Sequence, residues 1–179
     1  DIGTTAVRLV ELHNSGRSKA LVKYAFVPLE SNISLSESKT DQLKLAQAIR
    51  DLVEQSKVTT RNVAVGLPSQ RVFTTVVDID RLSDNEIAKT IQYQADSLIP
   101  TPMAESKIDW AVLGESGRDK EKIEVLLTSV TNAFIESRLD MLESIGLNVI
   151  AFEPDAMALS RAVIPFDTAT AQMVVDIGN

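Results

Sequence analysis

The tripeptide Asp-Ile-Gly occurs twice, as Asp1-Ile2-Gly3 and as Asp176-Ile177-Gly178, the second directly behind the apolar pair Val174-Val175. An aspartate at a strand's end followed by glycine sets a carboxylate beside a tight turn, because glycine lets the backbone fold closely and lets its N–H groups approach a ligand. Successive N–H groups in such a turn form an anion-binding concavity. The carboxylate suits a hydrated Mg²⁺, which keeps several waters and binds through few protein oxygens. Two such turns facing each other would clamp a polyphosphate and its metal, with Asp1 and Asp176 as the metal-binding residues. One copy alone is also an ordinary strand-ending turn.

Composition narrows what such turns could serve. The 179 residues are 44% hydrophobic and 24% charged, so disorder and coiled coil are poor readings. A chain of this length buries roughly 70% of its unfolded surface, enough for a core without covalent staples. The net charge of −7 disfavours a phosphate-backbone binder, which needs clustered Lys and Arg. With no cysteine and one histidine, disulfides, thiolate zinc sites, cysteine nucleophiles and His-rich metal sites are excluded. No apolar run approaches the roughly 18 residues of a membrane span. The opening without methionine and the stop just after an apolar run read as a piece of a longer protein.

Periodicity divides the chain. Thr5 to Leu12 and Ala20 to Val27 read as a hairpin around Asn14-Ser15-Gly16. Ser31 to Ser38 reads as a loop. Leu45, Ala48, Ile49, Leu52 and Val53 then share a helical face within Asp41 to Lys57. Val63 to Leu67 is a buried strand ended by Pro68. A second block follows in the order β-α-β-β-α. It runs from a β-branched strand at Arg71 to Ile79, through a capping box at Ser83-Asp84-Asn85-Glu86 and a helix burying Ile87, Ile91, Ala95 and Leu98, to Gly146 as a left-handed helix stop. Strands at Leu147 to Phe152 and Met173 to Ile177, with a helix at Pro154 to Val163 between them, resume the first pattern. The expected fold class is therefore α/β, a β/α framework at 1–70 and 147–179 interrupted by an α+β module at 71–146.

Asp1-Ile2-Gly3-Thr4-Thr5 leading into a hairpin resembles the phosphate-1 loop of the actin-like ATPase superfamily, whose domains have a ribonuclease H-like fold. Met173 to Asn179 resembles the start of the phosphate-2 loop. Glu153-Pro154-Asp155-Ala156 is similar to the first connecting helix. The inserted module resembles subdomain IC of the FtsA/PilM type. Within it, Leu82-Ser83-Asp84-Asn85-Glu86-Ile87, the run Gln92 to Pro102 and Ile108-Asp109-Trp110 are closest to the PilM family of type IV pilus assembly proteins, as is Asn62 to Ser69 ahead of it. The flanking segments then correspond to subdomain IA of domain I, with the first strand of domain II at the C-terminus.

This resemblance implies ATP and Mg²⁺ as ligands. Asp1, Gly3, Thr4, Thr5 and Arg8 would serve one phosphate loop, and Asp176, Gly178 and Asn179 the other. Glu153 would hold the acidic position that orients an attacking water; its plainer reading is a helix N-terminal acid. Arg8 stands where many relatives carry lysine, and arginine differs in size and geometry. The implied partner is the N-terminal cytoplasmic tail of PilN, received in a groove walled in part by the Ile87–Pro100 helix, at the cytoplasmic face of the inner membrane and alongside other pilus assembly proteins. Trp110 has the size of a peptide anchor, although a lone tryptophan more often belongs to a core. An FtsA-like division protein, a GspL-like type II secretion component and an active actin-like ATPase are the alternatives. With the adenosine side of the cleft missing, the chain by itself is expected to hydrolyse no ATP and to bind it weakly.

Overall fold

A computed structural model describes residues 1–15, 18–30, 33–165 and 167–176. The chain divides into two compact units, Asp1–Ser69 with Ser137–Asn179, and Gln70–Glu136.

In the first unit β1 (Ala6–Ser15) and β2 (Ser18–Pro28) form an antiparallel hairpin. Its register shifts between Glu11 and Leu12, a bulge of the kind that bends a strand and increases its twist. Gly16 of the expected turn lies outside the described residues. Helix α1 (Lys39–Ser56) starts at Ser38, whose hydroxyl accepts the Asp41 N–H at 3.2 Å, and ends at Lys57 in the left-handed region (φ 51°). The loop before α1 is less open than its serines suggest. Ile33–Leu35 make a short 3₁₀ turn with Ile33 and Ser34 buried, and the buried guanidinium of Arg138 donates to the Ser34 carbonyl at 2.5 Å.

Strand β3 (Asn62–Leu67) pairs in parallel with β7 (Asn148–Pro154), which leads directly into α4 (Asp155–Val163). The face of α1 bearing Leu45, Ile49, Leu52 and Val53 packs with Ile2, Val7, Val65, Met141, Leu142 and Leu147 to make the core. Val10, Tyr24 and Phe26 on the hairpin stay exposed.

In the second unit β4 (Phe73–Asp80), β5 (Ser106–Glu115) and β6 (Lys122–Thr131) form an antiparallel sheet in the order β4-β6-β5. Helix α2 (Asp84–Leu98) lays Ile87, Ile91 and Ala95 on it, against Val125 and Leu127. At its start the Glu86 carboxylate accepts from the Ser83 N–H at 2.9 Å and the Ser83 hydroxyl at 2.7 Å. Trp110 is half-buried and packs on this core, so its bulk serves packing.

Helix α3 (Asn132–Ser144) ends at Gly146 (φ 80°), whose N–H reaches the Glu143 carbonyl at 2.9 Å while the Leu147 N–H reaches that of Leu142 at 3.2 Å. This paired closure satisfies carbonyls the helix cannot bond internally. The second unit closes at Glu136, whereas the sequence reading carries the inserted module to 146. Met141, Leu142 and Leu147 are buried in the first unit's core, which draws the end of α3 to that unit.

The expected strand at Met173 to Ile177 is not formed over Met173–Asp176, and Ile177 lies outside the described residues. A strand needs a neighbour to take its backbone hydrogen bonds, and among the described residues none pairs with this segment. Met173 and Val175 are exposed.

Glu11, buried on β1, accepts the Thr59 N–H at 2.9 Å and the Thr59 hydroxyl, with Lys23 3.8 Å away. The Thr59 hydroxyl, then the Thr59 N–H, hold its carboxyl below the usual range; burial opposes them and Lys23 assists. The stabilisation from Glu11 is therefore complete above the unfolded glutamate pKa of about 4.3 and is lost as pH falls through the lower folded value. Urea unfolding across the acid range should show Thr59→Val losing less stability than the wild type between neutral pH and pH 3. In the second unit, Leu127→Ala empties a fully buried position and should cost about 3 kcal/mol, read as a lower urea midpoint at an unchanged slope.

Candidate functional site

The first Asp-Ile-Gly folds into a tight reversal. The Gly3 N–H donates to the Ala6 carbonyl at 3.0 Å, the Arg8 N–H to the Asp1 carbonyl at 2.9 Å, and Ile2 bridges Val7. Ile2 and Val7 are buried in the core, so the turn is anchored by apolar side chains while Asp1, Thr5 and Arg8 are exposed. A Cβ on Gly3 would lie 3.1 Å from the Ala6 carbonyl oxygen and 3.3 Å from Arg8 Nη1, so glycine is what leaves room for both. Arg8 Nη1 meets Asp1 Oδ2 at 3.1 Å. The Thr5 carbonyl accepts the Leu29 N–H at 2.8 Å, tying the turn to the end of β2, and Thr4 is half-buried beside it.

The turn lies against β3. A Cβ on Gly66 would stand 3.7 Å from the Asp1 Cα, and Gly66 is the parallel-register partner of Glu153 on β7. Adjacent strands lie about 4.8 Å apart, so Asp1 and Glu153 come to one level of the fold at the C-terminal ends of β3 and β7. There α4 is fastened to β3. Asp155 accepts the Ser69 N–H at 3.3 Å and the Ser69 hydroxyl, while its Oδ1 takes the Ala156 N–H at 2.7 Å, a cap on the helix's first turn. Glu153 is held by Arg161, whose Nη1 donates to Oε2 at 2.9 Å while Nη2 meets Oε1.

The structure thus seats the turn of Asp1 and Gly3, with Arg8 paired to Asp1 and Thr4 and Thr5 on the turn, against Gly66, one strand away from Glu153. Asp176 is exposed in the irregular terminal segment and makes no hydrogen bond or ion pair among the described residues. Gly178 and Asn179 lie outside them. Gly66 and Ser69 lie within the Asn62 to Ser69 run read from the sequence, but neither they nor Arg161 were among its candidate site residues. Gly66 had a signal in the small residue near the end of an apolar strand; Arg161 shows only as a cation in the last turn of a helix.

The chemistry of this corner is the guanidiniums of Arg8 and Arg161, paired with the carboxylates of Asp1 and Glu153, with Asp155 beside them at the start of α4; guanidiniums suit phosphate oxygens and carboxylates the water shell of Mg²⁺. Among the described residues no cluster of three or more His, Cys, Asp or Glu is grouped for a metal; a Mg²⁺ carried by phosphates and waters needs one or two carboxylates. No helix among the described residues is long and apolar enough to cross a membrane.

The fold matches solved structures. A chain of a PilM–PilN type IV pilus biogenesis complex superposes with a TM-score of 0.77 at 23% identity, covering 89% of this chain and 47% of that one. The cytoplasmic domain of EpsL, an inner-membrane component of the type II secretion system of Vibrio cholerae, superposes with a TM-score of 0.52 at 17% identity, covering 86% of this chain and 54% of that one. The chain therefore spans about half the length of these relatives, and its mixed α/β fold is of the actin-like ATPase type. The family model for type IV pilus assembly protein PilM matches residues 1–179. The chain belongs to the PilM family of type IV pilus assembly proteins.

Proposed function

We propose that this chain forms one wall of a nucleotide cleft in a pilus assembly scaffold, binding ATP with Mg²⁺ and recruiting the N-terminal cytoplasmic tail of PilN at the inner membrane's cytoplasmic face. The observation that carries the nucleotide reading is the Asp1–Gly3 turn seated against Gly66, with Glu153 on the next strand. The close packing of the Ala6 carbonyl and Arg8 around Gly3, which a Cβ would disturb, supports a turn whose shape depends on glycine. Asp1 and Asp176 would hold the metal's water shell. Gly3, Thr4, Thr5 and Arg8 would bind phosphate oxygens from one side, and Gly178 and Asn179 from the other. Bound ATP with Mg²⁺ supplies a charged bridge between two walls of a cleft, and only a ligand with different affinities for two arrangements can shift them. Glu153 would orient a water toward the phosphates, at the level that the β3–β7 pairing gives it.

In the same reading the first compact unit corresponds to subdomain IA and the second to subdomain IC. PilN is supported as the partner because the similar fold is that of a PilM–PilN complex. Helix α2 spends Ile87, Ile91 and Ala95, with its cap residue Ile99, on the second unit's core and leaves Tyr93 89% exposed, an aromatic of the kind that dominates peptide contacts. Attachment to the membrane would come through the partner.

Calorimetric titration of the whole protein with ATP and Mg²⁺ tests the cleft. Asp1→Ala should weaken binding at least ten-fold, and Gly3→Ala about three- to ten-fold, because its new methyl must displace a backbone carbonyl by a few tenths of an ångström; wild-type affinity in Asp1→Ala would end the nucleotide reading. Polarisation of a labelled PilN N-terminal peptide tests the partner. Saturable binding to the whole protein is expected, with Tyr93→Ala about ten-fold weaker, and no binding by the wild type would remove PilN.

A further inference from the structure

Arg161 grips the carboxylate on which the corner's chemistry turns, and it does so in a fork. Both terminal nitrogens engage Glu153, one on each oxygen, the planar geometry that a lysine cannot reproduce. The frame behind the fork is fixed from two sides. Glu153 is the ladder partner of Gly66, and the start of Arg161's own helix is fastened to Ser69 through Asp155. The Glu153 side chain is 25% exposed and that of Arg161 67%, so the guanidinium forms the solvent side of the pair.

We infer that Arg161 is a positioning residue of the nucleotide corner, holding Glu153 in one orientation and cancelling its charge toward an anionic ligand. The inference rests on the nucleotide reading above and adds a residue and a charge rule to it. A triphosphate approaching this corner meets the carboxylates of Asp1, Glu153 and Asp155, each of which would repel it across a short distance. Asp1 is paired with Arg8 at 3.1 Å and Glu153 with Arg161 at 2.9 Å, so these two acids each have a cation within a chain of net charge −7, while Asp155 is held by Ser69 and the Ala156 N–H. An exposed ion pair contributes little to folding stability; the consequence of this one is the local field and the direction of the carboxylate. A purely structural alternative is that Arg161 only complements the C-terminal end of α4. Under that reading the identity of residue 153 has no bearing on what happens when the arginine is removed.

The test is a double-mutant cycle on the whole protein, read by equilibrium binding of a fluorescent ATP analogue with Mg²⁺ and with a chelator, at two salt concentrations. Arg161→Gln should weaken binding about five- to ten-fold, with the larger loss at low salt and without the metal. Arg161→Lys, which keeps charge without the fork, should fall between it and the wild type. Glu153→Gln should bind at least as tightly as the wild type, and Glu153→Gln with Arg161→Gln should return to within about two-fold of it. Wild-type affinity in Arg161→Gln, or a double variant as weak as Arg161→Gln, overturns the role of Arg161 and leaves the nucleotide reading standing. A wild type that binds no nucleotide under either condition overturns both. Should Arg161→Gln fail to fold, Glu153→Gln decides alone, and a loss of affinity there counts against the inference.

Discussion

The parallel pairing of β3 with β7 is the constraint on which the candidate site depends. Parallel strands cannot be joined by a tight turn and need a crossover. Here Asn62–Leu67 meets Asn148–Pro154 only after the chain has made the whole of the second unit. That pairing makes Gly66 and Glu153 partners, puts Asp155 within reach of Ser69, and leaves Asp1 beside the strand end where the acid emerges. Each of these contacts joins residues far apart in the chain, so their ordering is a property of the folded unit and of no local segment. The core beneath them, from Leu45 and Ile49 to Leu142 and Leu147, is what offsets the entropy of closing so long a connection.

Electrostatics at the corner follows from that geometry. A protein of net charge −7 is a poor general attractor for anions, and a corner built around Asp1 and Glu153 would be poorer still were the acids uncompensated. Arg8 and Arg161 reach those acids from different elements, one from the strand after the turn and one from the helix after β7. Glu11, by contrast, is compensated for structure. Its partners Thr59 and Lys23 tie β1 to the segment after α1 and to β2, and its depressed pKa registers that bonding.

Local signals read well from the chain wherever they depend on near neighbours. The apolar spacing of Leu45, Ile49, Leu52 and Val53 is helical whatever surrounds it, and Gly146 stops α3 because it adopts positive φ without strain. Other features depended on distant partners and were not legible. Met173 to Val175 has a strand's composition but no partner strand among the described residues. Arg138 looks like a surface cation until it is seen buried beneath the turn at Ser34. Trp110 could equally have been an anchor or a core residue, and only its packing on the sheet beneath α2 decides. Arg161 lies eight residues after Glu153 in sequence, yet their pairing depends on the angle at which α4 leaves β7.

By itself the sequence determined the helices and strands through α4 and the residue chemistry of the first turn, since propensity, capping and glycine conformation act over a few residues. The tertiary structure alone decided that β6 sits between β4 and β5, that the end of α3 belongs to the first unit's core, and that Asp1 and Glu153 share one level with an arginine each. Strand order and side-chain convergence are set by which apolar faces bury one another, and that is a competition among all the elements at once.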